Sequence, residues 1–96
     1  MTAFTDKEYL KYLELERHLY AWCLVKYGNF SEAEAQRKAL AFYPSEFDDP
    51  DRGLKFHDLS WHWAMLQIQG ELYWIKHPHL MKAPDEYWEE GEKFRR

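Results

Sequence analysis

Two carboxylate–histidine pairs are the residues of this chain best spaced for chemistry: Glu14 with His18, and Asp58 with His62. At i, i+4 on a helix, the members of each pair share a face. Two such helices packed together would offer four ligands to one metal ion. Di-iron bundles use similar residues at Glu-x-x-His spacing, whereas here three residues intervene. Glu14 and His18 also project opposite the main apolar stripe of their segment, where solvent is expected. The competing expectation is two surface pairs, each adding about 0.2–0.5 kcal/mol to its helix. Glu14, His18, Asp58 and His62 therefore define the alternative reading, a metal- or small-ligand-binding bundle.

Ser60 follows His57 and Asp58 closely, which invites comparison with a hydrolase. A nucleophilic serine needs a base within hydrogen-bonding reach and an oxyanion hole. Neighbours in one continuous helix rarely supply them, and no G-x-S-x-G is present. Glu16 is the other outlier, a carboxylate on the apolar face of its segment between Tyr12 and Tyr20. Such a group must be protonated, paired or peripheral. Arg37, Lys38 or a tyrosine hydroxyl are the partners within expectation. Asp58, His62, Gln69 and Lys76 form a polar strip, faced by Ser60, Gln67 and Glu71. These strips are either solvent seams or a hydrogen-bonded interior network, because unpartnered burial costs several kcal/mol. The acidic stretch 44–53, PSEFDDPDRG, lacks the D-x-[DN]-x-[DN]-G-x₅-E order of a calcium loop. Its carboxylates are expected in solvent, with Phe47 pinning the loop to the body.

Composition narrows the function classes. The formal charge is −4 and the pI about 5.7, which opposes general nucleic-acid binding through a basic footprint. Protonation of all five histidines would take the charge from −4 to +1, so a change in solubility or association is expected in mild acid. Lone Cys23 excludes an internal disulfide and a four-cysteine zinc site. It lies in an apolar helical run and is expected as a buried, inert thiol. No signal-peptide pattern or membrane-length apolar run is present, so a cytoplasmic protein is expected. No motif names a reaction or a cofactor. Five Trp, seven Tyr and six Phe in 96 residues exceed what one small core easily encloses. Tyr and Trp are also the residues enriched at interfaces.

The elements that must position these residues read as helices throughout. Thr5 and Glu8 form a capping box, with Phe4 and Tyr9 at the staple positions. The first helix then runs to Gly28, a suitable left-handed terminator. One face gathers Tyr9, Tyr12, Leu13, Leu19, Tyr20, Cys23 and Tyr27; Leu15, Trp22 and Val25 suggest contact on a second side. Ser31 and Glu34 make a second capping box, opening a helix to about Tyr43, stopped by Pro44. Its alanines (Ala33, Ala35, Ala39, Ala41) permit close approach, with Leu40 and Phe42 as anchors. The intervening Gly28-Asn29 break makes the first two helices a hairpin.

Leu54–His77 shows two apolar stripes, the mark of a helix enclosed on both sides. It is expected as a central helix about 36 Å long. After HPHLMKAP, a short helix starts near Asp85, with acids in its early turns and bases in its last. The expected fold is a single all-α domain over 1–96: a small helical bundle of N-terminal helix hairpin, long central helix and short C-terminal helix. The leading functional expectation is a non-enzymatic interaction module, an adaptor or regulator binding a protein partner or forming a homodimer. Trp61, Met65, Ile68, Leu72 and Ile75 are the side expected to be completed by another chain. Neither nucleic acid nor membrane is expected as a partner.

Overall fold

A computed structural model describes residues 5–95 as five α-helices joined by turns and two 3-10 segments, with no strand among the described residues. Helix α1 spans Asp6–Gly28 and α2 spans Glu32–Phe42. Helix α3 is Ser60–Gln69, α4 is the single turn Tyr73–Lys76, and α5 is Asp85–Arg95. The all-α expectation therefore holds. No helix among the described residues is long and apolar enough to cross a membrane.

Helix α1 begins where its capping box predicts. Thr5 Oγ1 accepts from the Glu8 N–H at 3.1 Å, and Glu8 Oε1 accepts from the Thr5 N–H at 3.0 Å. This satisfies two amides, one of them among the helix's otherwise orphaned first donors. The staple expected of Phe4 lies outside the described residues. The stop differs from expectation. Asn29, at φ 60°, takes the left-handed position, and Gly28 remains inside the helix. A Cβ on Gly28 would lie 2.8 Å from the Phe30 ring and 2.9 Å from Ile68 Cγ1. The glycine is there for close approach. Helix α2 keeps half of its expected box: Ser31 Oγ accepts from the Glu34 N–H, with no return bond from the Glu34 side chain. Ala35 and Ala39 face the core, whereas Ala33, Ala41 and the expected anchor Leu40 are exposed.

The central position belongs to α1, which packs against α2, α3 and α5. The long helix expected over Leu54–His77 is instead three pieces. Leu54–His57 is a 3-10 turn, Asp58 and Leu59 are extended, and α3 ends at Gly70. Gly70 at φ 88° and Leu72 at φ 62° then reset the chain direction before α4. The two apolar stripes belong to pieces that turn different sides inward. Ser60, Trp61, Ala64 and Met65 are buried, while Trp63 reaches back to donate its ring N–H to the Lys55 carbonyl at 3.1 Å.

Leu13, Leu24, Cys23 and Met65 are almost fully enclosed. Truncating Leu13 or Leu24 to Ala would cost about 2–5 kcal/mol. The second side of α1 foreseen from Leu15, Trp22 and Val25 is covered partly by α5, where Tyr87 lies 6.5 Å from Trp22 between ring centroids. The loop between α2 and the 3-10 turn is tied to α1. Phe47 packs edge-on to Tyr9 at 5.1 Å, and Arg52 bonds Asp6 at 2.7 Å.

Two glycine substitutions give opposite expected signs. Helix propensity alone favours Ala over an interior Gly by about 1 kcal/mol. Gly91→Ala should gain much of that, since its Cβ would meet Leu19 at an ordinary 3.7 Å. Gly28→Ala should instead lose about 1–3 kcal/mol through overpacking. Chemical denaturation of the two variants checks this, and a stabilised Gly28→Ala would refute the close-approach account.

Candidate functional site

The start of α3 poses a local problem that the sequence beside it does not solve. The first N–H groups of a helix have no intrahelical acceptor, and the N-cap here is Leu59, which offers no side-chain bond. The polar groups beside these amides come from other helices. The Glu16 carboxyl of α1 stands beside the Ser60 N–H and the Ser60 hydroxyl, both of which favour its ionised form. The Trp61 N–H stands beside the Tyr87 hydroxyl of α5 and favours its ionised form. Ser60 Oγ and Tyr87 Oη lie 2.7 Å apart. The Ser60 hydroxyl and the Tyr87 phenol thus share one hydrogen bond, with the Glu16 carboxyl beside them.

This polar node sits in an interior of titratable groups. Burial raises the Glu16 carboxyl above the usual carboxylate range, outweighing the Ser60 donors and the Arg95 charge that favour ionisation. Burial pushes the Tyr87 hydroxyl up to about 12, against the opposing Ser60 bond. Tyr43 is raised by burial and then by the Glu16 charge, and its hydroxyl has no hydrogen-bond partner among the described residues. Cys23 is raised by burial and by Glu16. A thiol held in its protonated form is a poor nucleophile and a poor metal ligand. Ser60 is wholly buried and its hydroxyl joins the carboxylate and phenol. The node is structural in its chemistry.

The expected ligand quartet is not assembled. Glu14 is exposed on an open groove between α1 and the end of α5, shared with Tyr12 and Phe94. His18 turns to α5, with Nε2 at 2.6 Å from Glu90 Oε2 and its ring stacked on Phe94 at 4.4 Å. Asp58 is exposed and precedes α3, so the i, i+4 geometry with His62 does not arise. His62 Nδ1 instead meets the Tyr73 hydroxyl at 2.9 Å. Among the described residues no three His, Cys, Asp or Glu side chains gather to hold a metal ion. Of the polar strip, Asp58, Gln69 and Lys76 face solvent, as do Gln67 and Glu71 opposite. Ser60 joins an interior network, and His62 reaches the buried Tyr73.

No family model, curated protein or solved structure matches this chain.

The expected interface residues are divided between core and surface. Trp61 and Met65 are enclosed by this chain itself: Trp61 packs edge-on to Tyr27 at 5.1 Å and to Tyr87 at 6.0 Å. They are removed from any surface for a partner. Ile68 is half-buried against Gly28. Leu72 and Ile75 are 50% and 65% exposed. Met81, in the 3-10 turn Pro78–Met81 that contacts α4, is 66% exposed. Sequence reasoning passed over it, because its segment reads as a Pro-bounded linker. The one available signal was its place among four bases, Lys76, His77, His79 and Lys82, with no acid from Leu72 to Pro84.

Glu16 yields a pH prediction with a definite sign. Its folded pKa is raised, so the stability linked to its proton is fully present below the unfolded carboxylate range. That stability is lost as pH rises through the folded value. Glu16→Gln keeps an acceptor for Ser60 without titrating. In denaturation series over acidic to neutral pH, the wild type should lose stability relative to this variant as pH rises. A difference that stays constant with pH would contradict the assignment.

Proposed function

We propose that this chain is a non-enzymatic protein-interaction module of the cytoplasm, self-associating through the surface built by α4 and the 3-10 turn after it. The observation that carries this reading is Leu72. A non-glycine residue in the left-handed region costs about 1–2 kcal/mol, and Leu72 sits there at φ 62°, ψ 27° with half of its side chain in water. Glycine or asparagine would serve the turn better. The strained leucine gives the monomer little in return, and such outliers gather where a structure does something other than fold.

The neighbouring geometry supports the same reading. Ile75 and Met81 are largely exposed although their supports are rigid. Tyr73 is buried and bonded to His62, and Leu80 holds the Trp61 ring N–H on its carbonyl at 2.8 Å. A stiffly presented apolar surface loses little entropy when a partner covers it. The buried, protonated Cys23 suits a reducing compartment, where thiols are stable. Trp61 and Met65, spent on the core, are no part of this surface.

Light scattering over a concentration series tests the reading. The wild type should associate, and Ile75→Asp should stay monomeric with unchanged helical circular dichroism. Leu72→Asn should likewise weaken association while leaving stability equal or up to about 1 kcal/mol higher. Monomeric wild-type protein at every concentration, or Ile75→Asp assembling like the wild type, would refute it.

A further inference from the structure

The surface carrying Ile75 and Met81 has a charge opposite to that of the chain. Lys76 and Lys82 are exposed beside these aliphatic side chains and take part in no ion pair among the described residues. His79 is exposed with them. On a chain of net charge −4, this is a basic surface with an apolar centre.

The complementary surface is on the same chain. The loop between α2 and the Leu54–His57 turn exposes Asp48, Asp49 and Asp51, and Phe47 is 41% exposed between Glu46 and Asp48. Its one base, Arg52, is engaged with Asp6 and with the Phe47 carbonyl. The loop is also held in shape. Backbone bonds run from Asp49 N–H to the Glu46 carbonyl, Arg52 N–H to the Asp49 carbonyl and Leu54 N–H to the Asp51 carbonyl, each 3.1 Å. A further bond joins the Asp51 N–H to Asp49 Oδ1 at 2.8 Å. An acidic loop with a ring at its centre is thus presented as rigidly as the basic, aliphatic surface it would match.

Resting on the interaction-module reading, we propose that the surface formed by Ile75, Lys76, Met81 and Lys82 receives the acidic 46–51 loop of a second copy of this chain. The Phe47 ring of the second copy lies against Ile75 and Met81, and its aspartates pair with Lys76 and Lys82. Both halves of the contact are present on every copy. The lysines choose and orient the partner; the apolar centre supplies the area removed from water. Because the paired charges stay near solvent, association should weaken as salt shortens the screening length.

Charge reversal in two halves tests this. Lys76→Glu/Lys82→Glu and Asp48→Lys/Asp51→Lys each place like charges across the contact. By light scattering each variant alone should associate roughly tenfold or more weakly than the wild type, with unchanged circular dichroism. Mixed in equal amounts, the two should recover assembly, since each now carries the complement of the other. If both variants assemble like the wild type while Ile75→Asp is monomeric, the apolar surface is an interface but the loop is not its occupant. A mixture that stays monomeric likewise overturns the pairing. If the wild type itself is monomeric, the interaction-module reading falls with it. Sedimentation of the wild type with phosphatidylserine vesicles, abolished by the lysine reversal while the protein alone remains monomeric, would assign the surface to an anionic membrane and overturn the proposal.

Discussion

Helix α3 has no N-cap of its own, and the rest of the structure is arranged to supply one. Leu59 stands where Ser, Thr, Asp or Asn would normally accept from the first turn. Glu16 and Tyr87 are the polar groups that stand there instead, from helices 44 residues before and 27 residues after Ser60 in the sequence. A local cap contributes about 0.5–2 kcal/mol to one helix. A borrowed cap does so only when three helices are in register, so the start of α3 becomes conditional on the packing of α1 and α5. Leaving these donors buried and unpaired would cost about 1–3 kcal/mol each. The same bonds that begin a helix therefore dock two others.

That coupling explains how α5, short and heavily charged, is held. Its contacts with α1 alternate polar and apolar: Tyr27 and Lys26 meet Glu86, Gly91 lies over Leu19, and His18 meets Glu90 and Phe94. The peripheral ion pairs are solvent-screened and contribute little individually. Tyr87 is the buried anchor, packed on Trp61 and bonded at the node. By covering Trp61 with its own α5, the chain closes a face that composition alone would leave open. Leu72, Ile75 and Met81, on α4 and the turns beside it, remain exposed, as do Leu54, Leu40 and Trp88 elsewhere on the surface.

Local signals were legible wherever the chain solves its own problems. Thr5 and Glu8, Ser31, Pro44 and Asp85 mark element boundaries by side-chain chemistry that acts within a few residues. Glu16 was legible as an anomaly, a carboxylate on an apolar face, but its partner was not. Ser60 sits beside it only through the fold, whereas Arg37 and Lys38, the charges on the adjacent helix, were the nearer suggestion. The division of Leu54–His77 was hidden for the same reason. Asp58-Leu59-Ser60 contains no proline or glycine, and the groups beside its break, Glu16 and Tyr87, come from distant parts of the sequence. The carboxylate–histidine pairs misled because periodicity fixes which residues share a face and not what that face meets. His18 meets Glu90 and Phe94; His62 meets Tyr73. Leu72 in a left-handed turn runs against its intrinsic preference, so no propensity argument would place a stop there.

Amide hydrogen exchange at Ser60 and Trp61 tests the borrowed cap most directly. First-turn amides normally exchange quickly, having no helical acceptor. Here both should exchange as slowly as the core amides of α1, and the protection should divide by partner. Glu16→Ala should release Ser60 preferentially, and Tyr87→Phe should release Trp61. Fast exchange at both positions in the wild type would contradict the account, as would protection indifferent to either substitution.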